Sequence, residues 1–240
     1  VKAFQFAGGR LVGPGLAIFA GRGSNEFLDL AQQIRRQTSD MMRAAIGVRM
    51  HSGWGALVAV SNGDGGVEIV ERRRITVTAP GERGAVQPYH YAKNLELAEA
   101  EKFIGDCFAA SKRLALAAVE EVVGELRERK YRVVGCAVVL ASGRPLPPLA
   151  KILGAHPLIH TAEGSFFREV FSKACKELGL TVGGFRERDL DECVQATFGK
   201  TSGRIRRQIS TLGRSVGPPW TTDQKTAALA AMLVLGNKQR

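Results

Sequence analysis

The residues with most chemical scope stand in "HPLIHTAEGSFFREVF", residues 156–171. A histidine followed three residues on by a glutamate, His160 and Glu163, can supply a metal ligand or a general base. The same stretch has a plainer reading: Thr161 caps a helix, and Glu163 suits the positive end of its dipole. Asp223 is a second notable acid, standing where "TTDQKTAALAAMLVLG" begins a helical pattern. Glu187 and Asp189, in "RERDLDECVQATF", complete the pool from which a carboxylate metal site could be drawn. Arg49 and His51, in "IGVRMHSGW", are of a type to bind phosphate, although His51 beside Trp54 also reads as an ordinary turn residue. His90 lies between Tyr89 and Tyr91, which suits either a loop or stacking on a base.

Cations form a second group. Lys200, Arg204, Arg207 and Arg214 follow steps of four, three and seven, so they share one helix face. Ile205, Ile209 and Leu212 occupy another face and should pack inward. A basic stripe on an anchored helix can serve as a rail for backbone phosphates, or it can be a solvated face. "GKTSG" is excluded as a nucleotide loop, because residue 194 is valine where the upstream glycine belongs and no strand leads into it. Arg72, Arg73 and Arg74 read as a solvated strand edge that resists pairing, with phosphate contact as the alternative.

The whole chain agrees with the second group. Lys and Arg number 34 against 23 Asp and Glu, a net charge of +11 that favours a polyanionic partner: nucleic acid first, an anionic membrane surface second. The four cysteines form no CxxC pair and lie at no zinc spacing from a histidine, so they read as reduced, buried thiols of a cytoplasmic protein. No apolar run approaches the roughly 18–20 residues of a membrane span, and the N-terminus has no signal-peptide layout.

The elements that must position these residues follow from periodicity. Residues 1–44 stand apart: a Gly-rich stretch, "FAGGRLVGPGLAIFAGRG", then a helical pattern with Ser24 as N-cap and Phe27, Leu30, Ala31 and Ile34 on one face. They read as an appendage to a domain over residues 45–240. Residues 45–60 predict a strand and its return, "SNGDGG" a hairpin turn, and "VEIVERRRITVTA" one or two further strands. "PGERGAVQPYHYAKN" reads as a loop, and a long helix follows from about Leu95 to Glu128, with Gly105 and Gly124 as weak points. "YRVVGCAVVLA" has the β-branched, unbroken apolar character of a central strand covered on both faces, parallel to an earlier one. A helix over "GSFFREVFSKACKELG", the strand "LTVGGF" and C-terminal helices complete the order, the last of them capped by Thr221 or Thr222 and ending at Gly236.

Three stretches resemble the Holliday-junction resolvase branch of the ribonuclease H-like superfamily. "IGVRMHSGWGALVAV" is similar to its opening strand and Gly-rich return. "GLTVGGFRERDLDECVQATFGKTSGRIRRQI" is similar to its strand, variable helix and basic helix, and "PPWTTDQKTAALAAMLVL" to its last helix. The resemblance spans about residues 45–236. It implies an α/β fold with a mixed sheet, three antiparallel strands then parallel ones, and helices on both faces. It also implies phosphodiester cleavage with two Mg²⁺ or Mn²⁺ ions held by carboxylates. Those carboxylates belong on the first strand, at the end of the buried strand and at the start of the last helix. Asp223 matches the third place; the first holds Arg49, and "GCAVVLASG" offers no acid for the second. Three expectations result. The chain is a nucleic-acid-binding protein with a degenerate nuclease site, with DNA ahead of RNA as partner and a homodimer allowed for. Alternatively, it is an active metal-dependent endonuclease with a relocated site, with Asp223, Glu163 and His160 catalytic and the two acids as metal ligands. The third option is a small-anion or nucleotide-binding module using Arg49 and His51.

Overall fold

The computed structural model describes residues 41–63, 65–141 and 145–237. Residues 1–40 of the appendage expected over 1–44 lie outside them. The chain enters on strand β1 (Met42–His51), three residues ahead of the expected boundary, turns into β2 (Trp54–Gly63), and returns as β3 (Gly66–Thr76). Gly53 makes the first turn at φ +77°, a conformation that costs other residues dearly. The segment that read as a loop contains a short helix, α1 (Pro88–Ala92), and leads to α2 (Leu97–Glu128) and β4 (Tyr131–Leu140). Helices α3 (Leu149–Leu153) and α4 (His156–Glu177) precede β5 (Val182–Arg186). A 3₁₀ turn, Glu187–Asp189, opens α5 (Leu190–Phe198). A second, Gly199–Thr201, opens α6 (Ser202–Thr211), and α7 (Gly213–Val216) and α8 (Thr222–Gly236) follow.

The sheet order is β3-β2-β1-β4-β5, with β1, β2 and β3 antiparallel and β4 and β5 parallel to β1. With helices on both faces, this is the ribonuclease H-like arrangement the sequence predicts. Strand β4 is interior, parallel to β1 and covered on both faces, as its apolar run predicts; β1 is the middle strand, and its side chains alternate between two cores. Ala44, Ile46, Val48 and Met50 pack with Val119, Val122 and Leu126 of α2 and Phe167, Val170 and Phe171 of α4. Ala45 packs on the other face with Ala227, Ala228 and Ala231 of α8 and Ile205 and Ile209 of α6. Helix α8 is buried over most of its circumference, which is why its sequence is apolar without a clear stripe. The capping box formed by Thr221 and Gln224 fixes where it begins.

Two expectations are corrected. Helix α4 begins at His156 rather than beyond Glu163, with Pro157 in its first turn, where a missing N–H costs nothing. Thr161 therefore lies inside the helix, its hydroxyl donating to the Pro157 carbonyl at 3.0 Å instead of capping. The arginines of β3 line the sheet edge, but two of them are engaged rather than solvated. Arg72 donates to the carbonyls of Val216 (2.7 Å), Gly217 (3.0 Å) and Pro219 (2.6 Å), tying down the turn before α8. Arg73 pairs with Glu71 and Glu125. No helix among the described residues is long and apolar enough to cross a membrane.

Candidate functional site

The carboxyl edge of the sheet is where α/β proteins place ligands, and here its chemistry is set by one close approach. A Cβ on Gly47 would lie 1.9 Å from the Ala227 carbonyl oxygen, so α8 rests directly on the β1 backbone. Four residues back along the helix is about 6 Å, and two residues on along the strand is about 6.6 Å. Those steps bring Asp223 over Arg49. One Asp223 oxygen accepts from the Arg49 guanidinium, and the other meets His51 Nε2 at 2.8 Å. The sheet register delivers the third member. Val48, Val138 and Gly184 align across β1, β4 and β5, so Glu187 and His51 each stand three residues past that row. Glu187 accepts from Arg49 Nη2 at 3.0 Å and Nε at 3.3 Å.

Arg49 thus bridges two carboxylates. Burial pulls its pKa down, but hydrogen bonds and charge from Glu187 and Asp223 outweigh that and raise it, so the guanidinium stays charged. The His51 ring lies nearly parallel to Trp54, centroids 4.3 Å apart, and the Arg74 guanidinium sits 3.8 Å from the Trp54 ring centre. A second guanidinium closes the end of β4: Arg168 of α4 donates through Nε to the Val139 carbonyl at 2.9 Å and also reaches the Gly164 carbonyl. Burial first, and the nearby charge of Arg49 second, lower the Arg168 pKa, with Glu187 opposing.

A two-metal phosphodiesterase site needs facing carboxylates that hold divalent ions about 4 Å apart. The residues here do not fit such a pair. A fixed monovalent cation, Arg49, lies between Asp223 and Glu187, and another, Arg168, sits at the end of β4 where a carboxylate would be needed. An anion at Arg49 and His51 would in turn face both acids. Asp189 is taken up by Arg186 and Arg188.

His160 and Glu163 lie in a different cluster. Glu163 is buried, its Oε1 accepting from the backbone N–H of Tyr89 (2.9 Å) and His90 (3.0 Å) and lying 3.2 Å from His90 Nδ1. Burial raises the Glu163 pKa, while these contacts with His90 and Tyr89 pull it down. His160 Nε2 is 3.0 Å from His156 Nε2. Among the described residues, no hydrogen bond or ion pair joins either residue to Asp223.

The basic residues do not share one helix: Lys200 lies in the 3₁₀ turn Gly199–Thr201, Arg204 and Arg207 in α6, and Arg214 in α7. Ile205 and Ile209 are buried and Leu212 is half-buried, while Lys200, Arg204, Arg207 and Arg214 are all exposed. Among the described residues none of the four makes a salt bridge, whereas Arg206 pairs with Asp191. Because α6 packs with α8, Arg204 and Arg207 lie on the same face of the sheet as Arg49.

Sequence reasoning did not foresee Arg168 at the end of β4 or the gathering of His90 and His156 around His160. The four-residue spacing of His156 and His160 was the available signal, and starting α4 after Glu163 hid it.

Comparison with known proteins adds little to this picture. No family model matches the chain, and no curated protein matches it. Among solved structures, RuvC of Thermus thermophilus in complex with a Holliday junction substrate aligns at a TM-score of 0.44 and 13% identity, over 79% of this chain and 91% of that one. A Ppx/GppA family member from Aquifex aeolicus aligns at 0.31 and 14%, over 65% and 39%. Nucleoside triphosphate hydrolases from Neospora caninum align at 0.35 and 11%, over 77% and 36%. The ribonuclease H-like class rests on the strand order and connections of the chain itself.

Proposed function

We propose that this chain is a nucleic-acid-binding protein on a ribonuclease H-like scaffold whose nuclease site has been replaced by an ionic lock. The observation that carries the reading is the exposed cations Lys200, Arg204, Arg207 and Arg214, on and beside the anchored helix α6, none of which makes a salt bridge among the described residues, in a chain of net charge +11. Such cations neutralise backbone phosphates and give sequence-independent affinity. The lock formed by Arg49, Asp223 and Glu187 argues against bound Mg²⁺ or Mn²⁺, and so against cleavage. DNA is the favoured partner, and the buried cysteines suit a reducing cytoplasm.

The test is fluorescence anisotropy of linear and branched DNA across a salt series, with Mg²⁺ present and product analysis by gel. The expected result is binding without cutting. The slope of log affinity against log salt should flatten by up to about 3.6 when all four cations become alanine, at about 0.9 per phosphate contact. Absence of binding at low salt refutes the proposal. Mg²⁺-dependent cutting lost in D223N would instead establish an endonuclease with a relocated site.

A further inference from the structure

The chain has four histidines, and three of them meet at one place outside the ionic lock. His156 and His160 stand one helical turn apart at the start of α4, so their rings share a face. His90 comes to them from α1, 66 residues earlier in the chain than His156. One ring nitrogen from each of the three lies within 4.8 Å of the others. His156 and His160 are exposed, so the cluster opens to solvent.

We propose that His90, His156 and His160 form a three-histidine site for a divalent transition metal of the zinc class. Zinc–nitrogen bonds of 2.0–2.1 Å in a tetrahedron set ligand nitrogens about 3.3 Å apart. The 3.0 Å between the Nε2 atoms of His156 and His160 is already close to that edge. Imidazole is the ligand type that selects zinc, copper, nickel and iron over Mg²⁺ and Ca²⁺. A metal ion can accept a ring lone pair from all three at once.

Glu163 is the independent observation. It is 4% exposed, and its Oε1 holds both the backbone of α1 and the ring of His90. With Nδ1 turned to that carboxylate, His90 keeps Nε2 as its free lone pair, the arrangement in which a carboxylate orients a metal-bound histidine and raises its basicity. Among the described residues, Oε2 of Glu163 is buried with no hydrogen-bond partner. A buried carboxylate with one bare oxygen is costly, and a dication one imidazole away offsets that cost. Three protein ligands leave a fourth position for water. The site is independent of nucleic-acid binding and shares no residue with the ionic lock.

The test is titration of untagged, full-length chain with Co²⁺ and Zn²⁺, read by calorimetry and by the visible absorption of tetrahedral cobalt. A single equivalent is expected to bind, with binding lost in H156A and H160A and retained in H51A. Glu163 acts as a positioning residue, so E163Q should keep the stoichiometry and weaken affinity about 10–100-fold. Zn²⁺ should also shift the imidazole proton resonances of three histidines in the parent protein and leave the fourth, a readout that needs no variant to fold. No saturable binding, binding unchanged in H156A and H160A, or perturbation centred on His51 would overturn the proposal.

Discussion

Replacing Gly47 by alanine tests whether the close seating of α8 on β1 builds the ionic cluster. The added methyl would stand 1.9 Å from the Ala227 carbonyl oxygen, 2.8 Å from its carbon and 3.0 Å from the Ala231 nitrogen. All three are backbone atoms, so no side chain can swing aside. Ordinary contact begins near 3.4 Å, so strand and helix must part by about 1.5 Å. A gap of that size forfeits much of the dispersion energy along Ala227, Ala228 and Ala231. Overpacking usually costs about 1–3 kcal/mol, and rigid atoms on both sides place G47A at or above the top of that range. At a urea slope of about 2 kcal/mol/M, the midpoint should fall by roughly 1.5 M. G124A is the control: Gly124 lies in α2 with nothing within 4 Å of the new methyl, and alanine there should stabilise by about 0.5–1 kcal/mol. Urea melts by far-UV circular dichroism give both values. A G47A midpoint equivalent to less than about 1 kcal/mol of loss would refute the seating, and with it the step argument that brings Asp223 to Arg49.

Three further outcomes follow from the same geometry. R49D removes the bridging guanidinium and sets a third carboxylate beside Asp223 and Glu187, so calorimetry should detect Mn²⁺ binding that R49A lacks; equal heats from the two variants would mean that Arg49 does not stand in a cation's place. Arg72 satisfies three carbonyls before α8, so R72A should cost about 1–3 kcal/mol and expose residues 212–221 to protease, with R72K recovering only part. Cys107, Cys136 and Cys175 are buried, and burial pushes the Cys107 thiol up to about 11. A thiol reagent should therefore label Cys193 first under native conditions and the others only on unfolding; rapid labelling of two or more would contradict the packing.

The order of strands and helices was legible because it is local. Alternation, unbroken apolar runs and the glycine turns of 45–76 depend on neighbours within a few residues. The exposure of Arg204 and Arg207 opposite the buried Ile205 and Ile209 was legible for the same reason, since helix periodicity fixes which residues share a face; Lys200 and Arg214 lie in neighbouring turns of their own. Helix starts were less secure. Thr161 is a good cap residue, yet Pro157 and the inward face formed by Ile159, Ala162 and Phe166 carried α4 back to His156. Helix α1 left almost no local signal, because its first N–H groups are satisfied by Glu163, more than seventy residues away.

The sequence by itself determined that Arg49 stands where the resemblance would place a carboxylate, and that the chain carries a net charge of +11. Only the tertiary structure decided what Arg49 does instead. Asp223 and Glu187 lie 174 and 138 residues from it, and a helix resting on a glycine together with the register of two parallel strands brings them into contact. It also gathered three histidines from two helices. Local periodicity encodes faces and turns, whereas a site is a meeting of distant residues whose relative placement is set by packing between elements.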